Sequence, residues 1–153
     1  MVGSADGLGP REVFELMGRH WLEGAAGFPG DLVAEDVVVE MPFAAPGGPR
    51  RIEGREKFRA FAEAGRAALP VRFEEIRDVA VHQTTDPETI VVEYEMAGTV
   101  TTTGHRADAS FIGVLTVRDG KIVRWREYQN VPAIAAALGQ LPALAAHHAD
   151  QAG

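Results

Sequence analysis

The sequence predicts an α+β domain in which a curved antiparallel sheet wraps around N-terminal helices, with a hollow at the open end of the cone. Three observations lead there. Apolar residues recur at helical spacing over residues 10–24 and 56–69, whereas from Val71 to Gln129 they form strand-like runs. Breaks rich in Pro, Gly and Asp divide those runs as hairpins require. Helices and strands come in blocks rather than in alternation, which lays helices on one face of an antiparallel sheet. With 153 residues the chain has room for one such domain and one good core.

Residues 1–9 are Gly-rich and are expected to be loose. Pro10 suits a first helical turn, where its missing N–H would have no partner. Phe14, Met17 and Trp21, with Val13 beside them, then form an apolar stripe opposite Arg11, Glu12, Glu15 and Arg19, and this first helix should end near Gly24. A short helical piece is expected over 30–36, with Asp31 as a possible cap. It leads into the β-branched run 37–43, which Pro42 should end. Residues 44–50 read as a loop. A helix over 56–69 carries Phe58, Phe61, Ala62 and Gly65 on one side and stops at Pro70. Four strands follow, at 71–82, 89–99, 106–117 and 121–129, then a short helix over 131–138 ending at Gly139. The expected organisation is a domain over 10–140 and a weakly patterned tail over 141–153, with no internal repeat.

Composition bounds the function. The chain is 46% apolar and 24% charged, ordinary globular usage. Its net charge of −7 argues against a nucleic-acid surface. No apolar run approaches the roughly 20 residues that span a bilayer, and the N-terminus lacks the basic and apolar blocks of a secretory signal. A cytoplasmic protein without nucleic-acid or membrane partners is therefore expected. There are no cysteines, and only two serines, Ser4 and Ser110, neither in a nucleophile elbow. No zinc-binding H-E-x-x-H, P-loop or complete dinucleotide fingerprint is present, and the five histidines form no metal set, so neither metal nor cofactor is expected.

The chemistry is concentrated in the last strand. Side chains alternate along a strand, so Val123, Trp125 and Glu127 share one face while Arg124, Arg126 and Tyr128 share the other. The arginines favour solvent or a partner, which turns Glu127 inward. A carboxylate facing an apolar interior is costly unless it is hydrogen-bonded, protonated or beside a wet cavity. The structural alternative is an ion pair with an arginine of another strand, or a place at the sheet rim. Which residues neighbour Glu127 depends on the turn at 118–120. A three-residue turn with a bulge at Gly120 sets Gly113 opposite Trp125, Phe111 opposite Glu127 and Leu115 opposite Val123. A two-residue turn brings Val114, Ile112 and Ser110 to the inner face instead. The bulged form is favoured, because a glycine opposite a tryptophan relieves crowding. Trp21, Phe61 and Phe111 are candidate pocket walls or plain core, Tyr94 is core or a hydroxyl donor, and His105 and Asp108 are rim residues or the mouth of a pocket.

The order of these elements, with Ile52-Glu-Gly54 before the second long helix, Asp86-Pro-Glu-Thr-Ile-Val-Val-Glu93, Val117-Arg-Asp-Gly-Lys-Ile122, Arg126-Glu-Tyr-Gln-Asn130 and Ala137-Leu-Gly139, resembles the nuclear-transport-factor-2-like superfamily. Within it the chain is similar to the SnoaL-like polyketide cyclases and to the phenazine-biosynthesis A/B proteins. The resemblance spans roughly residues 10–140 and implies a cone-shaped, cystatin-like fold with an interior pocket. It also implies that Glu127, matching the acid of an Arg-Glu-aromatic-x-Asn motif, is a general acid/base. Phe61 and Gly65 stand where the phenazine proteins carry a histidine and a serine, Met41 where ketosteroid isomerases place their base, and Asn130 near an aspartate of the cyclases. The pocket implied is more apolar than theirs.

The function expected is a cofactor-independent isomerase, cyclase or dehydratase of secondary metabolism, acting through Glu127 on a hydrophobic carbonyl-bearing compound. Trp21, Met41, Phe43, Phe61, Tyr94, Phe111 and Trp125 would bind that substrate. A binding protein without turnover is the alternative, and an epoxide hydrolase a weaker one. A homodimer is expected through the outer sheet face, as in members of the resembled family.

Overall fold

The computed structural model describes residues 7–23, 28–140, 142, 145 and 146. The expected loose segment 1–9 for the most part, the end of the first helix at Gly24, and most of the tail over 141–153, with His147 and His148, lie outside the described residues.

Helix α1 (Pro10–Glu23) buries Val13, Phe14 and Met17, the stripe its sequence spacing defines. A single 3-10 turn at Gly30–Leu32 follows, and strand β1 (Val33–Glu40) begins at once. The helix expected over 30–36 is thus one turn long, because Val33 and Val37 are both fully buried by extended backbone. β1 ends at Glu40, just before Pro42. A three-residue strand β2 (Arg51–Glu53), too short to stand out in the sequence, pairs back onto β1. Helix α2 (Arg55–Ala68) comes next, then the long strands β3 (Val71–Gln83), β4 (Thr89–Val100), β5 (Arg106–Arg118) and β6 (Lys121–Gln129). Helix α3 (Val131–Ala137) closes the described fold. Asn130 caps it, its Oδ1 accepting from the Ala133 N–H at 3.2 Å, so this side chain serves the helix start.

The six strands form one curved, unclosed sheet in the order β2-β1-β6-β5-β4-β3. The last strand is therefore interior to the sheet, between β1 and β5. The strand pattern predicts an antiparallel sheet throughout, but β1 pairs with β6 in parallel, with Val39 beside Trp125 and Glu40 beside Arg126. The sheet is mixed. Reaching β1 after a hairpin from β5 leaves β6 running in the same direction as β1, and no local pattern in either strand encodes that direction.

The hairpin joining β5 and β6 turns on Asp119 and Gly120, both with positive φ (53° and 73°), and pairs Arg118 with Lys121. That is the two-residue form, in which Gly suits the left-handed backbone. A bulge nevertheless lies a few residues on, at Val123, where Thr116 pairs with Arg124 but Val117 with Ile122. The extra residue restores the inner face expected of the bulged turn, with Phe111, Gly113 and Leu115 inward. It sets Leu115 opposite Trp125, Gly113 opposite Glu127 and Phe111 opposite Gln129, two residues away from the expected pairing.

On the outer face Glu40 receives both arginines of β6. Arg124 Nη2 lies 2.6 Å and Arg126 Nη2 3.5 Å from its Oε1, and Arg124 holds the Glu40 carboxyl below the usual carboxylate range. The core is the opposite face, where Ile90, Val92, Leu115, Ile122 and Trp125 meet Val13, Phe14 and Met17 of α1. Near one edge β3 and β4 approach closely around a bulge at Glu74: a Cβ on Gly98 would lie 2.3 Å from the Arg72 carbonyl oxygen. Backbone cannot yield as a flexible side chain does. Gly98→Ala is expected to destabilise the fold by about 1–3 kcal/mol, read as a lowered urea midpoint.

Candidate active site

A cavity of about 800 Å³ opens between the inner face of the sheet, α1 and α2. Its floor is the β4–β5–β6 part of the sheet. Alternation presents Tyr94 and Met96 from β4, Phe111 from β5, and Trp125, Glu127 and Gln129 from β6. Met17 and Trp21 of α1 form one wall, and Phe58, Phe61, Ala62 and Gly65 of α2 another. None of the residues of α2 is buried, because its apolar face looks onto the cavity instead of onto packed side chains. The exposed Glu63, Arg66, Arg72 and Asp108 mark the mouth.

Aromatic rings make the inner end. Tyr94 stacks on Phe111 (centroids 5.4 Å apart, 13° between planes) and on Trp21 (6.0 Å, 24°). Trp21 meets Trp125 edge-on at 5.6 Å, and Phe14 backs Tyr94 at 5.2 Å. Such pairs add about 0.5–1.5 kcal/mol each beyond the area they bury, so this end is pre-formed.

Glu127 is the acid at that end. Its carboxyl is enclosed by the protein and keeps surface only where it lines the cavity. Gln129, two residues on and on the same strand face, donates from Nε2 to Glu127 Oε1 at 2.9 Å. Among the described residues no arginine, lysine or histidine pairs with Glu127; Arg124 and Arg126 pair with Glu40 on the other face. Loss of hydration raises the Glu127 pKa above the ordinary carboxylate value, and the donors Gln129 and Trp125 offset part of that rise. Tyr94 is 3% exposed, and burial together with the charge of Glu127 pushes its phenol well above the ordinary value, so it is a neutral O–H donor at all ordinary pH. Its hydroxyl makes no hydrogen bond among the described residues. The site thus holds one carboxyl poised to exchange a proton, with neutral donors around it. No three His, Asp or Glu side chains converge as a metal set would among the described residues.

Seven of the eight expected site residues line this one cavity: Trp21, Met41, Phe61, Tyr94, Phe111, Trp125 and Glu127. Phe43 does not. It is 62% exposed and packs on Tyr128, which belongs to the outer face, at 5.1 Å between centroids. β1 has ended by then, and the turn in which the Ala44 N–H donates to the Met41 carbonyl at 3.1 Å breaks the alternation before Phe43 is reached. Asp108 is at the mouth and bonds Arg77 at 2.9 Å, while His105 lies apart from the lining. Gln129 is the site residue that the sequence reading missed, although the alternation that turns Glu127 inward turns Gln129 inward too. Gly65 leaves open space where a serine would reach the cavity, and a Cβ added there would meet nothing within 4 Å. Gly65→Ala is expected to stabilise the protein by about 0.5–1 kcal/mol through helix propensity alone, seen as a raised melting temperature.

The family model described as the SnoaL-like domain matches residues 11–125. The chain belongs to the SnoaL-like family. A PhzA/B-like protein of Pseudomonas aeruginosa, itself uncharacterized, is 36% identical over 115 residues, which cover 75% of this chain and 79% of that protein. Among solved structures, a presumed isomerase from Bacillus subtilis superposes with a TM-score of 0.78 at 28% identity, covering 86% of this chain and 93% of that one. A phenazine biosynthesis-related protein from Pseudomonas aeruginosa gives 0.63 at 24% identity, over 84% and 86%. A presumed polyketide cyclase from Pseudomonas putida gives 0.68 at 20%, over 86% and 98%. At those last two identities the likeness is one of fold. The SnoaL-like match stops at Trp125, so Glu127 and Gln129 lie just beyond the residues that define family membership in this chain.

Proposed function

We propose that this SnoaL-like protein is a cofactor-independent enzyme of the isomerase, cyclase or dehydratase type, in which Glu127 moves a proton on a hydrophobic, carbonyl-bearing compound of secondary metabolism. One observation carries the reading: a carboxyl without a cationic partner lies at the inner end of a cavity of about 800 Å³ lined mainly by apolar side chains. A desolvated carboxylate is a stronger base than one in water, and a pKa raised toward the working pH suits both halves of a proton transfer. The names of the relatives, a presumed isomerase and presumed polyketide cyclases among them, are consistent with this chemistry. Tyr94, a neutral donor beside the acid, would bind the carbonyl oxygen and stabilise the negative charge that grows there when a neighbouring C–H is deprotonated.

Nitrobenzisoxazole tests the base without knowledge of the natural substrate. A base takes its one acidic C–H proton, the N–O bond breaks, and the product is a coloured cyanophenolate. The rate should rise with pH through a midpoint above the ordinary carboxylate range, since only ionised Glu127 accepts the proton. A flat profile, or a midpoint at the ordinary value, would count against the assignment.

Binding without turnover is the second reading. It is favoured by Phe61 and Gly65, which add no acid–base group at their own places on the α2 wall and leave its charged side chains, Glu63 and Arg66, at the mouth. A ligand copurified in the cavity and recovered unchanged after long incubation would decide for it. The partner proposed is a second copy of the chain on the outer face, where Phe43 and Ile112 expose apolar surface near Tyr128. Sedimentation giving a monomer would remove that partner.

A further inference from the structure

Trp125 has one feature that packing does not account for. It is 2% exposed, and its indole Nε1 is the buried side-chain polar atom left without a hydrogen-bond partner among the described residues. Leaving a buried N–H unpaired forfeits its hydration without replacement, so such an atom calls for an acceptor.

The geometry identifies it. Trp125 precedes Glu127 by two residues on the same strand face, and its ring leans across the sheet over Gly113, the residue directly opposite Glu127. Cε2, bonded to Nε1, comes within 3.9 Å of where a Gly113 Cβ would be. A methyl there would be in ordinary contact with the indole, which places the ring over this part of the strand. The N–H therefore sits close to the carboxyl, near enough to favour its ionised form, yet outside hydrogen-bonding geometry. On the other side Gln129 Nε2 already holds Glu127 Oε1 at 2.9 Å, which leaves Oε2 to take a second donor. Residues 125, 127 and 129 thus set an N–H donor on either side of one carboxyl.

We propose that Trp125 is a positioning residue for Glu127: when the carboxyl ionises, its Oε2 turns to accept the indole N–H, so that Trp125 and Gln129 grip the base from opposite sides. On protonation Oε2 carries the O–H, the indole bond is released, and the acid is free to turn its proton toward the cavity. A carboxylate held by two N–H donors keeps its direction while a substrate C–H approaches, which is what a near-attack geometry requires. Other groups facing the cavity are Tyr94 from β4, His20 and Glu23 from α1, and Glu63 and Arg66 from α2, with Arg72 from β3 and Asp108 from β5 near the mouth. None of these charged side chains contributes to the shift of Glu127, whose causes are burial, Gln129 and Trp125. The inference rests on Glu127 being the base, but its test needs no turnover, so either can fail without the other.

The test is a pH titration of the full chain by NMR, following the Glu127 carboxyl carbon and the two tryptophan indole N–H signals, assigned with Glu127→Gln and Trp21→Phe. The Trp125 indole proton should move downfield with the same midpoint as the Glu127 carboxyl, and that movement should vanish in Glu127→Gln. Trp125→Phe, which keeps an aromatic ring but lacks the N–H, should raise the Glu127 midpoint by about one to two pH units, as expected for loss of a hydrogen bond to a charged group. An indole signal that stays still while Glu127 titrates overturns the proposal, as does an unchanged midpoint in a folded Trp125→Phe. A Glu127 that never ionises in the folded protein overturns it too. If Trp125→Phe does not fold, the titration of the unaltered chain decides alone.

Discussion

Glu127→Gln lowers the ring-opening rate of nitrobenzisoxazole by about 10²–10⁴-fold, the range a positioned general base supplies, and stabilises the folded chain at neutral pH. The two effects share one cause. Glutamine fills the same space, and its side-chain oxygen can still accept from Gln129, but it carries no charge to desolvate. The sign of the stability change follows from linkage. The folded-state pKa of Glu127 is raised above its unfolded value, so between the two values the folded chain binds the proton more tightly, and stability falls as pH rises. Below the unfolded value, near 4.5, both forms are protonated and the carboxyl exerts no penalty. Above the folded value the penalty is complete, at about 1.4 kcal/mol for each unit of upward shift. The variant should therefore gain on the unaltered protein progressively as pH rises from about 4.5, and the gain should then level off. Urea unfolding across that range measures it. A stability difference that ignores pH would show that Glu127 is not desolvated, and a rate that survives the substitution would show that it is not the base.

Leu115→Ala costs about 2–5 kcal/mol, the range for emptying a buried leucine site. Leu115 is fully buried, with Ile90 opposite it on β4 and Trp125 opposite it on β6. Both neighbours sit on strands hydrogen-bonded on both sides, so the backbone has little freedom to close the gap and the cost belongs in the upper part of that range. The hole would also lie beside the indole that flanks Glu127. A fall in the urea midpoint accompanied by a slower ring opening is the expected pair of results. A loss under about 1 kcal/mol would mean that the inner sheet face collapses more readily than its hydrogen bonding implies.

The four long strands are legible almost to the residue because each is bounded by a physical stop: Pro70 before β3, the Asp86-Pro87 break before β4, and Asp119-Gly120 before β6. α1 and α2 are legible from their 3.6-residue stripes. The beginning of β1 is not, since Asp31 after a glycine imitates a helix cap and Val33 and Val37, four apart, suit a helix as well as an extended chain. Nor is the parallel pairing of β1 with β6, which depends on where the chain returns and leaves no local mark. At the site, strand alternation is enough to turn Trp125 and Glu127 inward and to set Tyr94 with them. The same rule covers Gln129, but an uncharged amide costs less to bury than a carboxylate and so stands out less in the sequence. Phe43 is misplaced by sequence reasoning because hydrophobicity says that a ring seeks cover but not which face provides it; Tyr128 covers it from outside.

The surplus residue at Val123 decides more than the curvature of a hairpin. A strand has two faces, and a shift of one position exchanges them for every residue downstream. If Val123 entered the ladder opposite Thr116 instead of bulging, with the turn held, Trp125, Glu127 and Gln129 would turn to solvent and Arg124, Arg126 and Tyr128 would face the cavity. Composition, length and sequence would be unchanged, yet the floor would become cationic and the carboxyl would lie beside water. In comparing relatives of this chain, a one-residue gap at that place is therefore compatible with the same inner face on a straight ladder, whereas a relative of equal length keeps that face only if it keeps the bulge.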